Sequence, residues 1–266
     1  MSSPKNILAI KNLSPKKSFG QNFLGDDFHL NTIAKAACDL REDQNSCVYE
    51  IGAGLGALTR ALLNQDAFVE AIERDRDLVP ILQELFLKEI QTGKLVLHEA
   101  NAVTFPYSKH GVICGNLPYH LTSSILFEVA KLHDQISGAV FLIQKEVADR
   151  IAGEPGSKIY GLLSVLMQSR FETSIIHEVP REAFWPPPQV ESSVIRFKPR
   201  SNSTKLDWEL FVKLVKSAFA HRRKTLTNSL SNYPNIESIL ISLEINPKSR
   251  AENLSYQDYE KILACL

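Results

Sequence analysis

The stretch Val112-Ile113-Cys114-Gly115-Asn116-Leu117-Pro118-Tyr119 gathers groups that can do chemistry. The apolar run 111–114 predicts a buried strand, ending in a glycine, an amide, a Leu-Pro corner and an aromatic ring. In an open α/β sheet, ligands bind just outside the carboxyl ends of the strands. Proline has no N–H and a fixed φ, and the residue before it is pushed toward extended geometry. The carbonyls of Leu117 and Pro118 are therefore held still and free to face a ligand. An amide acceptor, neighbouring carbonyls and an aromatic plane suit a flat base bearing an exocyclic amine. The plainer alternative is a strand-to-helix turn in which Asn116 caps a helix starting near Thr122.

A second constellation is Gly52-Ala53-Gly54-Leu55-Gly56-Ala57, between a predicted strand, 47–51, and a helix carrying Leu58, Leu62 and Leu63 on one side. Glycines there let the backbone approach a ligand, and the helix start offers free N–H groups. Glu73 ends the next strand, where an acid can hold both hydroxyls of a ribose. The pattern points to a cofactor containing adenosine. Gly52-x-Gly54-x-x-Ala57 also satisfies the dinucleotide fingerprint. Against that, Glu50 stands where a dinucleotide site usually keeps an apolar strand end.

The elements that position these groups follow from periodicity. Predicted strands are 47–51, 68–73, 95–97, 111–114, 139–143, 174–179 and 193–197, with helices at 29–40, 78–86, 124–132 and 160–170. Alternation of this kind predicts an α/β fold with a mostly parallel sheet of seven strands, covered on both faces. The first 24 residues are polar, basic and turn-rich. After Pro199 and the polar linker 200–204, only helical patterns remain: 208–219, 224–230, 236–243 and 256–263. The expected division is 1–199 as an α/β domain and 200–266 as a small all-α domain.

Composition narrows the class. The 266 residues are 44% apolar, as in an ordinary globular protein. No run reaches the ~18 apolar residues of a membrane span, and the first residues do not resemble a signal peptide. Cys38, Cys47, Cys114 and Cys265 show no metal or redox spacing, so reduced thiols in a cytoplasmic protein are expected. The seven histidines form no ligand spacing, and no metal is expected. Net charge is zero. Charge is uneven, however: Lys5, Lys11, Lys16 and Lys17 open the chain without an acid, and Arg222-Arg223-Lys224 clusters near Lys213 and Lys216. Such runs are usually solvated faces; phosphate contact is the functional reading.

Glu50-x-Gly52-x-Gly54-x-Gly56 with Asn116-Leu117-Pro118-Tyr119 resembles the S-adenosylmethionine-dependent adenine-N6 methyltransferases. Three further stretches resemble the small-subunit ribosomal RNA adenine dimethyltransferases: Phe19-Gly20-Gln21-Asn22-Phe23-Leu24, Phe184-x-Pro186-Pro187-Pro188-x-Val190-x-Ser192, and Arg222-Arg223-Lys224-Thr225-Leu226-x-Asn228-Ser229-Leu230. The resemblance runs from about residue 15 to 262.

It implies a class I S-adenosylmethionine-dependent methyltransferase fold, Rossmann-like, with a small C-terminal helical RNA-binding domain. It implies dimethylation of two adjacent adenosines in the 3′-terminal hairpin of small-subunit rRNA, on a partly assembled subunit, by a monomer. Asn22, Leu24, Gly52, Glu73, Asn101 and Asn116 would hold the cofactor. Asn116, Leu117 and Pro118 would grip the adenine amine, and Tyr119 and Phe184 would sandwich its ring. Arg222, Arg223 and Lys224, with Lys16 and Lys17, would meet RNA. Three positions depart from the family: Asn101 where it usually has Asp, Gln189 where it often has Lys, and Thr227 where it often has Arg. Competing readings are the large-subunit methyltransferases of antibiotic resistance, a DNA adenine methyltransferase, and a binding factor that uses the same fold as an assembly checkpoint or transcription factor.

Overall fold

The computed structural model of the chain describes residues 4–201, 207–221 and 223–266. In chain order the elements are α1 (Pro4–Ile10), β1 (Phe23–Leu24), α2 (Asp27–Cys38), β2 (Cys47–Ile51), α3 (Ala57–Leu63), β3 (Phe68–Glu73), α4 (Val79–Leu85), α5 (Leu87–Gln91), β4 (Leu95–Glu99), β5 (Gly111–Asn116) and α6 (Thr122–Lys131). They continue with β6 (Gly138–Gln144), α7 (Lys145–Ala152), α8 (Leu162–Arg170), β7 (Phe171–Val179), β8 (Phe184–Trp185), β9 (Ser192–Pro199), α9 (Trp208–Phe219), α10 (Leu226–Ser229), α11 (Ile236–Ser242) and α12 (Tyr256–Ala264).

Two compact units result, Met1–Ala148 with Ser174–Pro199, and Asp149–Thr173 with Arg200–Leu266. The division expected from the sequence differs by one segment. Residues 149–173 cluster with the C-terminal helices because α8 packs on α9 and α12.

The first unit is built on a seven-stranded sheet of order β4-β3-β2-β5-β6-β9-β7. Pairs β2–β3, β3–β4, β2–β5 and β5–β6 are parallel, and β6–β9 is antiparallel. Strand β2 is buried at every position, Glu50 included, as a central strand covered on both faces must be. Gly115 lets β5 close on it: a Cβ there would lie 2.4 Å from the Ile51 carbonyl oxygen. From β2 the chain winds outward through β3 and β4, then returns to lay β5 on the other side of β2. Strand order reverses between β2 and β5, and that switch point is where an open sheet leaves a crevice.

Two elements of this unit lie in the stretch read as turns. Helix α1 lacks a capping acid, and its one buried side chain, Leu8, joins Phe23, Leu55, Leu78 and Ile81 in a cluster. Tertiary packing makes it helical, as is usual for so short a helix. Strand β1 pairs antiparallel with β8, Phe23 opposite Trp185 and Leu24 opposite Phe184. Helix α7 was not predicted either; it follows β6 with no turn residue between them.

The second unit is helical apart from the start of β7. Asp207 caps α9 by accepting from Glu209 and Leu210 N–H, and Ser255 with Asp258 forms a capping box on α12. Tyr259 is fully buried, its hydroxyl donating to the Ala251 carbonyl at 2.8 Å. Among the described residues no helix is long and apolar enough to cross a membrane, and no three metal-ligating side chains cluster.

Candidate active site

Beyond the carboxyl ends of β2, β3 and β5 lies a cavity of about 330 Å³ lined by Gly20, Asn22, Gly52, Gly54, Glu73, Asn101 and Asn116, among others. Gly52, Gly54 and Gly56 hold φ between 59° and 79°, a region that side chains rarely adopt. That turn aims the Gly54 N–H at Glu73 Oε2, 2.8 Å away, while the Asp75 N–H reaches Oε1 at 2.7 Å. Burial pushes the Glu73 carboxyl above its ordinary range despite both bonds. A recess of about 50 Å³ adjoins, lined by Leu24, Glu50, Gly52, Gly54 and Asn116. Glu50 is 1% exposed and accepts the Thr59 hydroxyl at 2.6 Å. Burial pushes its carboxyl up to about 7 against that bond. It pairs with no cation among the described residues.

At the tip of β5, Asn116 Nδ2 donates to the Asn22 carbonyl at 3.0 Å. One side of the amide is thus fixed, and Oδ1 remains as an acceptor. Leu117 N–H donates to the Leu142 carbonyl at 3.0 Å. The Pro118 carbonyl accepts Leu121 N–H at 2.9 Å and the Thr122 hydroxyl at 3.3 Å. The Leu117 carbonyl accepts no hydrogen bond from any described residue. Two oxygens, Asn116 Oδ1 and the Leu117 carbonyl, are therefore available to an amine. Asn116 does not cap the helix that follows. Tyr119 is half-buried, with its hydroxyl 2.8 Å from Ser192 Oγ. Burial pushes its phenol up, against the bond to Ser192.

A second cleft, of about 610 Å³, opens beside Tyr119 and is lined by Lys17, Gln21, Asn22, Gln144, Trp185 and the Pro186–Val190 turn. The two cavities share Gly20, Gln21, Asn22 and Tyr119. A flat group entering the second would meet the contents of the first across Asn22 and Tyr119.

A family model described as ribosomal RNA adenine dimethylase matches residues 12–266. The chain belongs to that family. A relative from Myxococcus xanthus (strain DK1622), ribosomal RNA small subunit methyltransferase A, is 42% identical over 98% of this chain and 94% of its own length. The protein of the same name from Thiobacillus denitrificans (strain ATCC 25259 / T1) is 40% identical over 95% of this chain and 98% of its own. Among solved structures, a dimethyladenosine transferase from Plasmodium falciparum shares the fold, with TM-score 0.80 at 24% identity over 91% of this chain and 96% of that one. The 23S rRNA methyltransferase ErmE gives TM-score 0.69 at 25% identity over 91% of this chain and 98% of that one. This rRNA adenine dimethylase is an S-adenosylmethionine-dependent enzyme of the class I methyltransferase fold.

The residues present fit that methyl donor. Glu73 keeps lone pairs beyond its two backbone bonds for a diol, and an added Cβ at Gly52 would project into the cradle, where only the Asn116 carbonyl lies within 4 Å, at 3.8 Å. Glu50 is a buried carboxylate with no countercharge, a costly arrangement that a cationic ligand relieves.

The Pro118 carbonyl, expected to grip the amine, is already taken by Leu121 and Thr122 in its own turn, and three further expectations meet a different geometry. Phe184, expected as the second aromatic platform, is 4% exposed in the core with Leu24 and Val179 and lines neither cleft. Successive strand residues face opposite ways, so the pairing that turns Phe184 inward brings Trp185 to the cleft wall. Lys16, expected on the RNA face, is bound to Asp75 at 2.5 Å and Asp77 at 2.6 Å. Those bonds raise its pKa and occupy its charge. Leu24 has its side chain in the core and lines the small recess rather than the donor cavity.

Lys17 is exposed on the second cleft, and Arg223 and Lys224 are exposed without an acid partner among the described residues; Arg222 lies outside them. Asn101 Oδ1 accepts the Val103 N–H at 3.2 Å, so one of its lone pairs is already taken. An aspartate would keep that bond and add a free oxygen. Asn101→Asp is therefore expected to tighten donor binding roughly 5-fold, the effect of about 1 kcal/mol. Calorimetric titration with S-adenosylmethionine checks it; equal or weaker binding refutes it.

Sequence reasoning missed Gln21 and Asp75. Gln21 Nε2 donates to Asp75 Oδ2 at 2.6 Å, and its Oε1 accepts the Lys16 N–H at 2.8 Å. With Lys16 they clip residues 16–22 over the donor cavity and so set the Asn22 carbonyl that holds Asn116. The acid two residues after Glu73 was the available signal.

Proposed function

We propose that this enzyme dimethylates N6 of two adjacent adenosines in the 3′-terminal hairpin of small-subunit rRNA, on a partly assembled small subunit. One observation carries the chemistry. Asn116, tied through Nδ2 to Asn22, leaves Oδ1 as an acceptor, and with Leu117, whose carbonyl is unbonded, it lines the donor cavity, which shares Asn22 and Tyr119 with the second cleft. The full-length likeness to relatives named for the small subunit supports the substrate.

The adenine amine is a weak nucleophile because its lone pair is delocalised into the ring. S-adenosylmethionine, when bound, supplies an electrophilic methyl group on a positively charged sulfur. Asn116 Oδ1 and the Leu117 carbonyl accept the two N6 hydrogens, which draws the nitrogen toward a tetrahedral shape and aims its lone pair at the donor cavity. The same oxygens face the positive charge that develops on nitrogen. Holding the amine so can supply roughly 7–11 kcal/mol of the barrier. Tyr119, anchored by Ser192, stacks on the ring, worth roughly 1–3 kcal/mol. The target base leaves its stack to enter. No side chain has to remove a proton before transfer; the methylated nitrogen, then positively charged, sheds one proton to solvent afterwards.

The α/β unit carries catalysis, and residues 200–266 bind RNA through Arg222, Arg223 and Lys224, with Lys17 at the cleft. The enzyme works as a cytoplasmic monomer. The test is transfer of tritium from labelled S-adenosylmethionine to undermethylated small subunits, naked rRNA, large subunits and DNA side by side. Label is expected in the small subunits, as dimethyladenosine. Label confined to DNA or to large subunits, or none anywhere, overturns the reading.

A further inference from the structure

The second cleft has an aromatic wall that the reaction as derived leaves unused. Trp185 is half-buried and packs against the apolar cluster of Leu8, Phe23 and Leu55, yet it also lines the cleft with Lys17, Gln144 and Gln189. An indole backed on one side and exposed on the other within a polar cleft is a stacking surface held in place. Its position is indexed to the donor cradle. Phe23 is its Cα partner across the β1–β8 pair, and a Cβ on Gly54 would lie 3.4 Å from the Phe23 ring. Rigid contacts therefore run from the glycine loop through Phe23 to the indole.

We infer that Trp185 binds the nucleobase next to the target adenine, the adjacent adenosine of the substrate step, by stacking. This rests on the function proposed above. Tyr119 takes the base whose amine meets Asn116. Trp185, in the same cleft, takes its neighbour, and Lys17, which also lines that cleft, suits the phosphate joining them. Both bases then leave the RNA stack together. The neighbour waits in a fixed place for the next transfer.

Three variants test it, with Trp208→Phe as background because the chain has two tryptophans and Trp185 must be the sole emitter. A short oligoribonucleotide with two adjacent adenosines is expected to quench that emission at concentrations where it competes with methyl transfer. On undermethylated small subunits, Trp185→Ala should raise KM between about 5- and 150-fold, the effect of one stacked base. Its kcat and its affinity for S-adenosylmethionine should stay within twofold. Trp185→Phe, which keeps a smaller ring and the packing behind it, should stay within about threefold in KM. Two results overturn the assignment: a Trp185→Ala enzyme with KM unchanged, or emission unaltered by RNA that inhibits transfer. A loss of donor binding or of thermal stability that tracks the loss of activity in both variants also overturns it, leaving Trp185 as packing. Should the unaltered enzyme methylate no small-subunit RNA, the functional reading itself fails, which is a separate outcome.

Discussion

Asn116→Ala is expected to lower kcat by roughly 10²–10³-fold, the cost of removing one preorganised group aimed at developing charge. The loss has two sources. Oδ1 disappears as an acceptor for N6, and the Nδ2 bond that ties the amide to the Asn22 carbonyl goes with it. The Leu117 carbonyl stays, because its place is set by the backbone bond to Leu142. One acceptor and the Tyr119 surface therefore remain, so KM for the RNA should change far less than kcat. Donor affinity should survive in part, since Glu73 and the glycine loop are untouched. Single-turnover transfer to undermethylated subunits, with donor binding measured separately, gives both quantities. Turnover equal to that of the unaltered enzyme would remove Asn116 from the chemistry.

Glu50→Gln is expected to change stability and donor binding in opposite directions. The folded Glu50 carboxyl titrates near pH 7, burial being the main cause, whereas in the unfolded chain it titrates near 4.5. Between those values the folded state binds the extra proton. Its contribution to stability is therefore complete below about pH 4.5 and is lost as pH rises through about 7. The loss comes to about 3 kcal/mol at 1.36 kcal/mol per pH unit. Gln carries no charge and can still accept the Thr59 hydroxyl, so the variant should lose this slope and unfold several degrees higher at pH 8. Donor affinity should fall roughly 10- to 150-fold, the range for a hydrogen bond to a charged group. The cationic donor should in turn release a proton from the unaltered enzyme when it binds near pH 6.5. Melting curves from pH 4.5 to 8 and calorimetry in buffers of different ionisation heat check both halves. A Tm difference that is flat with pH would refute the assignment of the slope to Glu50. A carboxylate kept at such a cost fits a site that trades stability for binding.

Much of the site was readable because its parts are local. Gly52 to Ala57 lies between a strand and a helix within a few residues, and Glu73 ends the following strand, so one supersecondary unit carries the donor cradle. Asn116 to Tyr119 is likewise a single strand end. Strands β2, β3, β5 and β6 were visible because buried strands are apolar runs bounded by polar turns. Helix α1 and the pairing of β1 with β8 were not visible. Their residues become regular only on contact with one another and with Leu55 and Leu78.

By itself, then, the sequence determined the donor loop, its ribose-binding acid and the amide at the end of β5, because each is set by backbone chemistry within one segment. Only the tertiary structure decided that Phe184 turns inward while Trp185 meets the cleft, and that Lys16 is held by Asp75 and Asp77. Each of these depends on which atoms another segment brings within hydrogen-bond or packing distance. Residue types and their spacing along the chain do not contain that information.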